Sequence, residues 1–144
     1  MNYGISQLDH IACTAAIQRF SAYVDAGRYD DAAALFAPDG VMQRPQERIE
    51  GREALRHSFQ QRPAHRLTRH VISNLILDLV DDNTVRALSY VCVFRHLGTP
   101  GETLHQPVPA RNPETLAEYI DELVRVDGAW LIGRRTVRPV FDTF

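Results

Sequence analysis

Leu116-Ala117-Glu118-Tyr119-Ile120-Asp121-Glu122-Leu123-Val124-Arg125-Val126, followed by Asp127-Gly128-Ala129-Trp130, is where two readings of this chain part. Leu116, Tyr119, Ile120, Leu123 and Val124 recur at helical spacing, and Asn112-Pro113-Glu114 has the form of a helix start. Asp127-Gly128, however, is a strong two-residue hairpin signal, because both turn positions need positive φ. The run from Trp130 to Val140 then needs a strand partner immediately upstream. The hairpin decides for strand over the later part of the stretch, with Leu116 to Tyr119 open between the two.

Upstream lie two strongly β segments, Thr68 to Val80 and Thr84 to His96, joined by Asp81-Asp82-Asn83. They predict a second antiparallel hairpin. Between the hairpins, Leu97 to Pro113 carries Pro100, Pro107, Pro109, Pro113, Gly98 and Gly101, which excludes a regular element. A loop of that length is often a lid or an oligomer contact.

The N-terminal part is helical. Ser6 and Asp9 stand in capping-box spacing, and Leu8, Ile11, Cys13, Ile17, Phe20 and Val24 carry an amphipathic helix to Asp25, with Gly27 as its stop. A short helix from Asp30 to Phe36 ends at Ala37-Pro38-Asp39-Gly40, after which Val41 and Met42 begin a strand. Arg48 to Gly51 reads as a short strand. Arg52 to Phe59 reads as a third helix, with Ala54, Leu55, Ser58 and Phe59 inward. Helices grouped before a run of antiparallel strands define an α+β domain. A curved sheet wrapped around them, in a cone, leaves one pocket at its open end.

The chain has 144 residues, 44% of them hydrophobic, which fits a single domain spanning 1–144 with a real core. Sixteen basic and 18 acidic residues are dispersed along it, so no electrostatic footprint for nucleic acid or an anionic membrane is present. All 16 basic residues are Arg, which excludes lysine nucleophiles and Schiff bases. Cys13 and Cys92 have neither metal-like nor redox-like spacing, and the six histidines form no metal-binding motif. No signal-peptide pattern or membrane-length apolar run appears. A cytoplasmic protein with free thiols and no required metal is expected.

Two chemically able residues converge in this scheme. Asp25 falls at the margin of the first helix's apolar stripe, able to face a cavity without entering the core. His70 alternates with Ile72, Asn74 and Ile76 on one strand face, leaving Val71, Ser73, Leu75 and Leu77 on the other. An aspartate accepting from one ring nitrogen fixes the imidazole tautomer and leaves the second nitrogen as a base. Two readings stay open for the pair: proton abstraction, or a hydrogen-bonded structural contact. Tyr90 and Asn74 are candidates to stabilise developing charge. Cys92 reads as a small core residue or a pocket wall, and Arg134, Arg135 and Arg138 as possessing at least one interface ion pair.

The order of Val24-Asp25-Ala26-Gly27-Arg28-Tyr29-Asp30, Ala34-Leu35-Phe36-Ala37-Pro38-Asp39-Gly40, Gly51-Arg52-Glu53-Ala54-Leu55, Thr68-Arg69-His70 with Asn74, and Val124 to Ile132 resembles SnoaL-like proteins of the nuclear transport factor 2-like superfamily. The resemblance covers nearly the whole chain. It implies a cystatin-like fold, shared by scytalone dehydratase, other dehydratases and a dehydrochlorinase, ketosteroid isomerase, polyketide cyclases and noncatalytic dioxygenase β subunits, so fold alone says little about chemistry.

By that resemblance Asp25 and His70 are similar to the dehydratase dyad. His96 approaches a second histidine of scytalone dehydratase, within a register uncertain by one residue. Gln43-Arg44-Pro45 lacks the isomerase's aspartate, and Phe20 stands where several relatives carry tyrosine, with Tyr23 and Tyr90 as substitutes. The expectation is a cofactor-independent lyase or isomerase acting on a small, mainly apolar oxygenated molecule. The alternative is a noncatalytic ligand-binding or β-subunit-like protein. A homo-oligomer, dimer or trimer, is expected under either.

Overall fold

Ser6 caps the first helix through its side chain, accepting from the Asp9 N–H at 3.1 Å. In the computed structural model, which describes residues 4–110 and 113–142, helices α1 (Gln7–Asp25) and α2 (Tyr29–Ala34) are followed by strands β1 (Phe36–Arg44) and β2 (Glu47–Glu50), helix α3 (Arg52–Gln60), and strands β3 (Arg66–Asp81), β4 (Thr84–Leu97), β5 (Thr115–Val126) and β6 (Ala129–Asp142). All of Thr115–Val126 is strand, so the hairpin reading holds from its first residue; Asn112 of the competing helix start lies outside the described residues. Asp127 and Gly128 adopt φ of 49° and 80°, the pair of left-handed positions that the two-residue turn requires.

The six strands form one curved sheet in the order β2-β1-β6-β5-β4-β3. Every neighbouring pair is antiparallel except β1 and β6, which run parallel. The second helix was expected to reach Phe36, but it stops two residues earlier and Phe36 already pairs with Ile132. Ala37-Pro38-Asp39-Gly40 is thus part of an irregular strand, bulged between Phe36 and Val41. Gly40 is required there: a Cβ would stand 2.9 Å from the Ala37 carbonyl and 3.0 Å from that of Ile132.

Cys13, Ala16, Ile17, Phe20, Ser21 and Val24 form the buried stripe of α1, at helical spacing. Leu8 and Ile11, read as part of that stripe, are exposed. On α3 Leu55 and Phe59 are buried, while Ala54 is exposed. The Phe20 ring meets those of Phe36 and Phe59 at centroid distances of 5.2 and 5.7 Å. Instead of the one pocket expected, there are several hollows lined by largely different residues.

The alternation along β3 breaks at Asn74, a correction to the sequence reading. Ser73 pairs with Tyr90 and Ile76 with Leu88, leaving one extra residue on β3, and Asn74 has φ of 53°. After this bulge the inward set changes parity. Thr68, His70 and Ile72 precede it on the inner face, Leu75, Leu77 and Leu79 continue it, and Asn74 and Ile76 are exposed.

Candidate active site

β3 is an edge strand, so alternate main-chain N–H groups face away from β4 and lack a ladder partner. The end of α1 supplies one. Asp25 accepts from the His70 main-chain N–H at 2.7 Å through Oδ2, and its Oδ1 lies 2.6 Å from His70 Nδ1. The Thr68 hydroxyl donates to the same Oδ1 at 2.9 Å. Thr68 was not singled out from the sequence, although its position two residues before His70 places it on the same strand face.

Burial acts to raise the Asp25 carboxyl. The hydrogen bond and charge of the His70 ring, its backbone N–H and the Thr68 hydroxyl outweigh it and hold the group below the usual carboxylate range. An ionised carboxylate only accepts, so Nδ1 of His70 carries the hydrogen. In the neutral imidazole Nε2 is then the acceptor, and it makes no hydrogen bond among the described residues.

Asp25 and His70 border a groove of about 560 Å³ between α1 and β3, with Gln18, Ala22, Ala26, Arg69, Val71 and Ile72 as its other walls. That volume lies within the range of pockets that bind small organic molecules. The two side chains are 9% and 14% exposed, which makes the pair sheltered yet reachable.

The other residues singled out from the sequence lie elsewhere. Phe20 is in the core, 4% exposed. Tyr23 is half-buried under the Arg28 guanidinium, 4.4 Å from its ring centre. Tyr90, paired with Ser73, and Cys92, paired with Val71, are on the outer face of the sheet, opposite the imidazole. His96 also faces outward, and its Nδ1 lies 2.6 Å from the Pro109 carbonyl, where it holds the proline-rich loop against the end of β3 and β4. Asn74 is removed from the dyad's face by the bulge. Among the described residues no group of three His, Cys, Asp or Glu side chains could hold a metal ion. No helix among them is long and apolar enough to cross a membrane.

Arg135, one of the three arginines read as interface candidates, is instead buried in the interior, in a pair with Asp121 that the sequence did not announce. Arg135 Nε and Nη2 donate to Asp121 Oδ1 and Oδ2 at 2.7 and 2.8 Å, with both side chains fully buried. The guanidinium stacks 3.9 Å from the Tyr119 ring centre and 4.9 Å from that of Phe20. Among the described residues its Nη1 has no hydrogen-bond partner, nor do the buried hydroxyls of Ser21 and Ser89. Arg138, by contrast, pairs with Glu118 on the exposed face.

A curved sheet over N-terminal helices, with a carboxylate–imidazole pair beside a groove, defines a cystatin-like α+β domain. The SnoaL-like domain profile matches residues 7–136, and the chain belongs to that family. A candidate scytalone dehydratase from Novosphingobium aromaticivorans is 24% identical over 94% of this chain and 87% of its own, with a TM-score of 0.75. ActVI-ORFA from Streptomyces coelicolor is 21% identical over 91% of this chain and 97% of its own, also at 0.75. A protein from Catenulispora acidiphila, solved in complex with S-DNPA, is 26% identical over 93% of this chain and 95% of its own, at 0.70. No protein of curated function matches the chain.

Proposed function

We propose that the chain is a cofactor-independent enzyme of lyase or isomerase type, which dehydrates, eliminates from or cyclises a small, mainly apolar oxygenated molecule. His70 Nε2 removes a proton beside an electron-withdrawing group. Asp25 holds the ring in the required tautomer and offsets the positive charge that forms on it. The observation that carries this reading is the three-bond clamp on Asp25, which leaves the far nitrogen of His70 unpartnered at the wall of the groove. Ile72 and Ala22 supply apolar contact for the rest of the molecule. A positioned base of this kind contributes roughly 10²–10⁴-fold, so the groove must also orient the substrate.

The test supplies β-hydroxycarbonyl and polyphenolic candidates to wild type and to His70→Gln. Turnover that disappears in a folded variant supports the reading; turnover that persists at the wild-type rate rejects His70 as the base.

The same proposal includes a homo-oligomer built through the outer sheet face. Val71, Tyr90, Ile120 and Phe141 are 50%, 38%, 36% and 64% exposed there, with Glu118 and Arg138 paired among them. Apolar area bordered by balanced charge suits a second copy of itself. Sedimentation equilibrium tests it; a monomer at every concentration rejects it.

A further inference from the structure

Four arginines gather around the start of β3, near Thr68. Arg44 at the end of β1, Arg62 after α3 and Arg66 at the start of β3 line a cavity of about 200 Å³, together with Ser58 and Gln61. Arg95 lies opposite Thr68 on β4, close enough for its charge to act on Arg62 and Arg66. Two of the four have carboxylate partners: Arg44 meets Glu47 at 3.1 Å and Arg95 meets Glu114 at 2.9 Å.

Arg62 and Arg66 have none at ion-pair distance among the described residues. Among the described residues the Arg62 side chain makes one long hydrogen bond, from Nη2 to the Thr68 hydroxyl at 3.4 Å. Nε of Arg66 and Nε of Arg95 are buried without a hydrogen-bond partner among the described residues. Burial first, then the charges of Arg44 and Arg95, hold the Arg62 guanidinium below its usual range; burial, Arg95 and Arg62 do the same to Arg66. Guanidinium groups stay charged nonetheless, so like charges gathered around a hollow with spare donors favour an incoming anion.

We infer that this cavity is an oxyanion-binding subsite, in which Arg62 and Arg66, supported by Arg44, receive a carboxylate or phosphate group carried by an organic molecule. The forked donors of arginine match both groups bidentately. A volume of about 200 Å³ is below that of a whole drug-sized ligand, so the cavity takes the charged end of a molecule and the atoms next to it. It is one hydroxyl removed from the dyad, because Thr68 accepts from Arg62 and donates to Asp25. Anion binding here requires no catalysis by His70 and is read separately from it.

The experiment titrates the full chain with inorganic phosphate, with benzoate and with neutral benzamide, following the arginine Nε–Hε resonances and the heat of binding. Saturable binding of phosphate or benzoate is expected, with the Arg62 and Arg66 signals moving; which of the two saturates identifies the source of the anionic group. Benzamide should leave those signals in place. Affinity should fall about tenfold or more in Arg62→Gln and in Arg66→Gln, the loss of one charge-assisted contact, and stay unchanged in Arg56→Gln on the exposed face of α3. Arg66 is partly exposed, so its substitution keeps the test open should Arg62→Gln fail to fold. Saturation by neither anion, or equal affinity in folded Arg66→Gln, overturns the proposal.

Discussion

His70 is attached to Asp25 twice, once by its main-chain N–H at 2.7 Å and once by its imidazole at 2.6 Å. The first bond fastens an edge strand to the end of α1, and the second aligns the ring. One carboxylate therefore acts on both the fold and the chemistry, and variants at Asp25 must be read for each separately.

Asp25→Asn retains the shape and changes the proton inventory. An amide can donate to Nδ1, which favours the tautomer with the hydrogen on Nε2 and removes the base from the groove. Imidazole nitrogen NMR is expected to report Nδ1–H in wild type and a shift toward Nε2–H in the variant. Turnover should fall on the order of 10²–10⁴-fold. An unchanged tautomer with unchanged turnover would remove Asp25 from the mechanism and leave it only as a fastening.

The lowered Asp25 carboxyl also makes stability depend on pH. In the window between its depressed folded value and about 3.9 in the unfolded chain, the unfolded state binds more protons, so stability rises with pH. The contribution is complete above about pH 5 and is lost as pH falls through the folded value. Urea unfolding of wild type and Asp25→Asn should give a stability difference that shrinks as pH falls below about 5. A difference that grows with acid contradicts the assignment.

At Asn74 the prediction concerns the backbone. Its φ of 53° lies where asparagine and glycine are tolerated and a branched side chain is not. Asn74→Val should cost about 1–2 kcal/mol in urea unfolding, and Asn74→Gly should be close to neutral. Equal losses in both would mean that the Asn74 side chain, rather than its conformation, is what matters.

Asp127-Gly128 made the C-terminal hairpin legible because a two-residue turn constrains its own flanks, and this outweighed the helical spacing of Leu116 to Val124. Asp25 and His70 were legible through helix-end position, strand alternation and resemblance. What escaped depends on distant pairing. Phe36 to Gly40 becomes strand only because β6 lies alongside, and nothing local in Ala37-Pro38-Asp39-Gly40 announces it. The parity change at Asn74 comes from pairing with Tyr90 and Leu88, so strict alternation carried Asn74 and Ile76 to the wrong side. Tyr90, Cys92 and His96 required knowing which face of β4 the helices cover.

The Asp121–Arg135 pair offers the sharpest test of the interior. Both groups are fully buried and joined by two bonds, and Asp121 with the stacked Tyr119 offsets the cost that burial imposes on the Arg135 charge. Asp121→Leu leaves a buried guanidinium alone, and Arg135→Met leaves a buried carboxylate alone, so each should cost about 3–5 kcal/mol. The double variant removes both charges and keeps most of the volume, and should recover much of that loss. Urea unfolding of the four proteins yields the coupling energy directly. If the single losses simply add in the double variant, the two side chains are not acting as a pair. Recovery would identify them as an electrostatic unit.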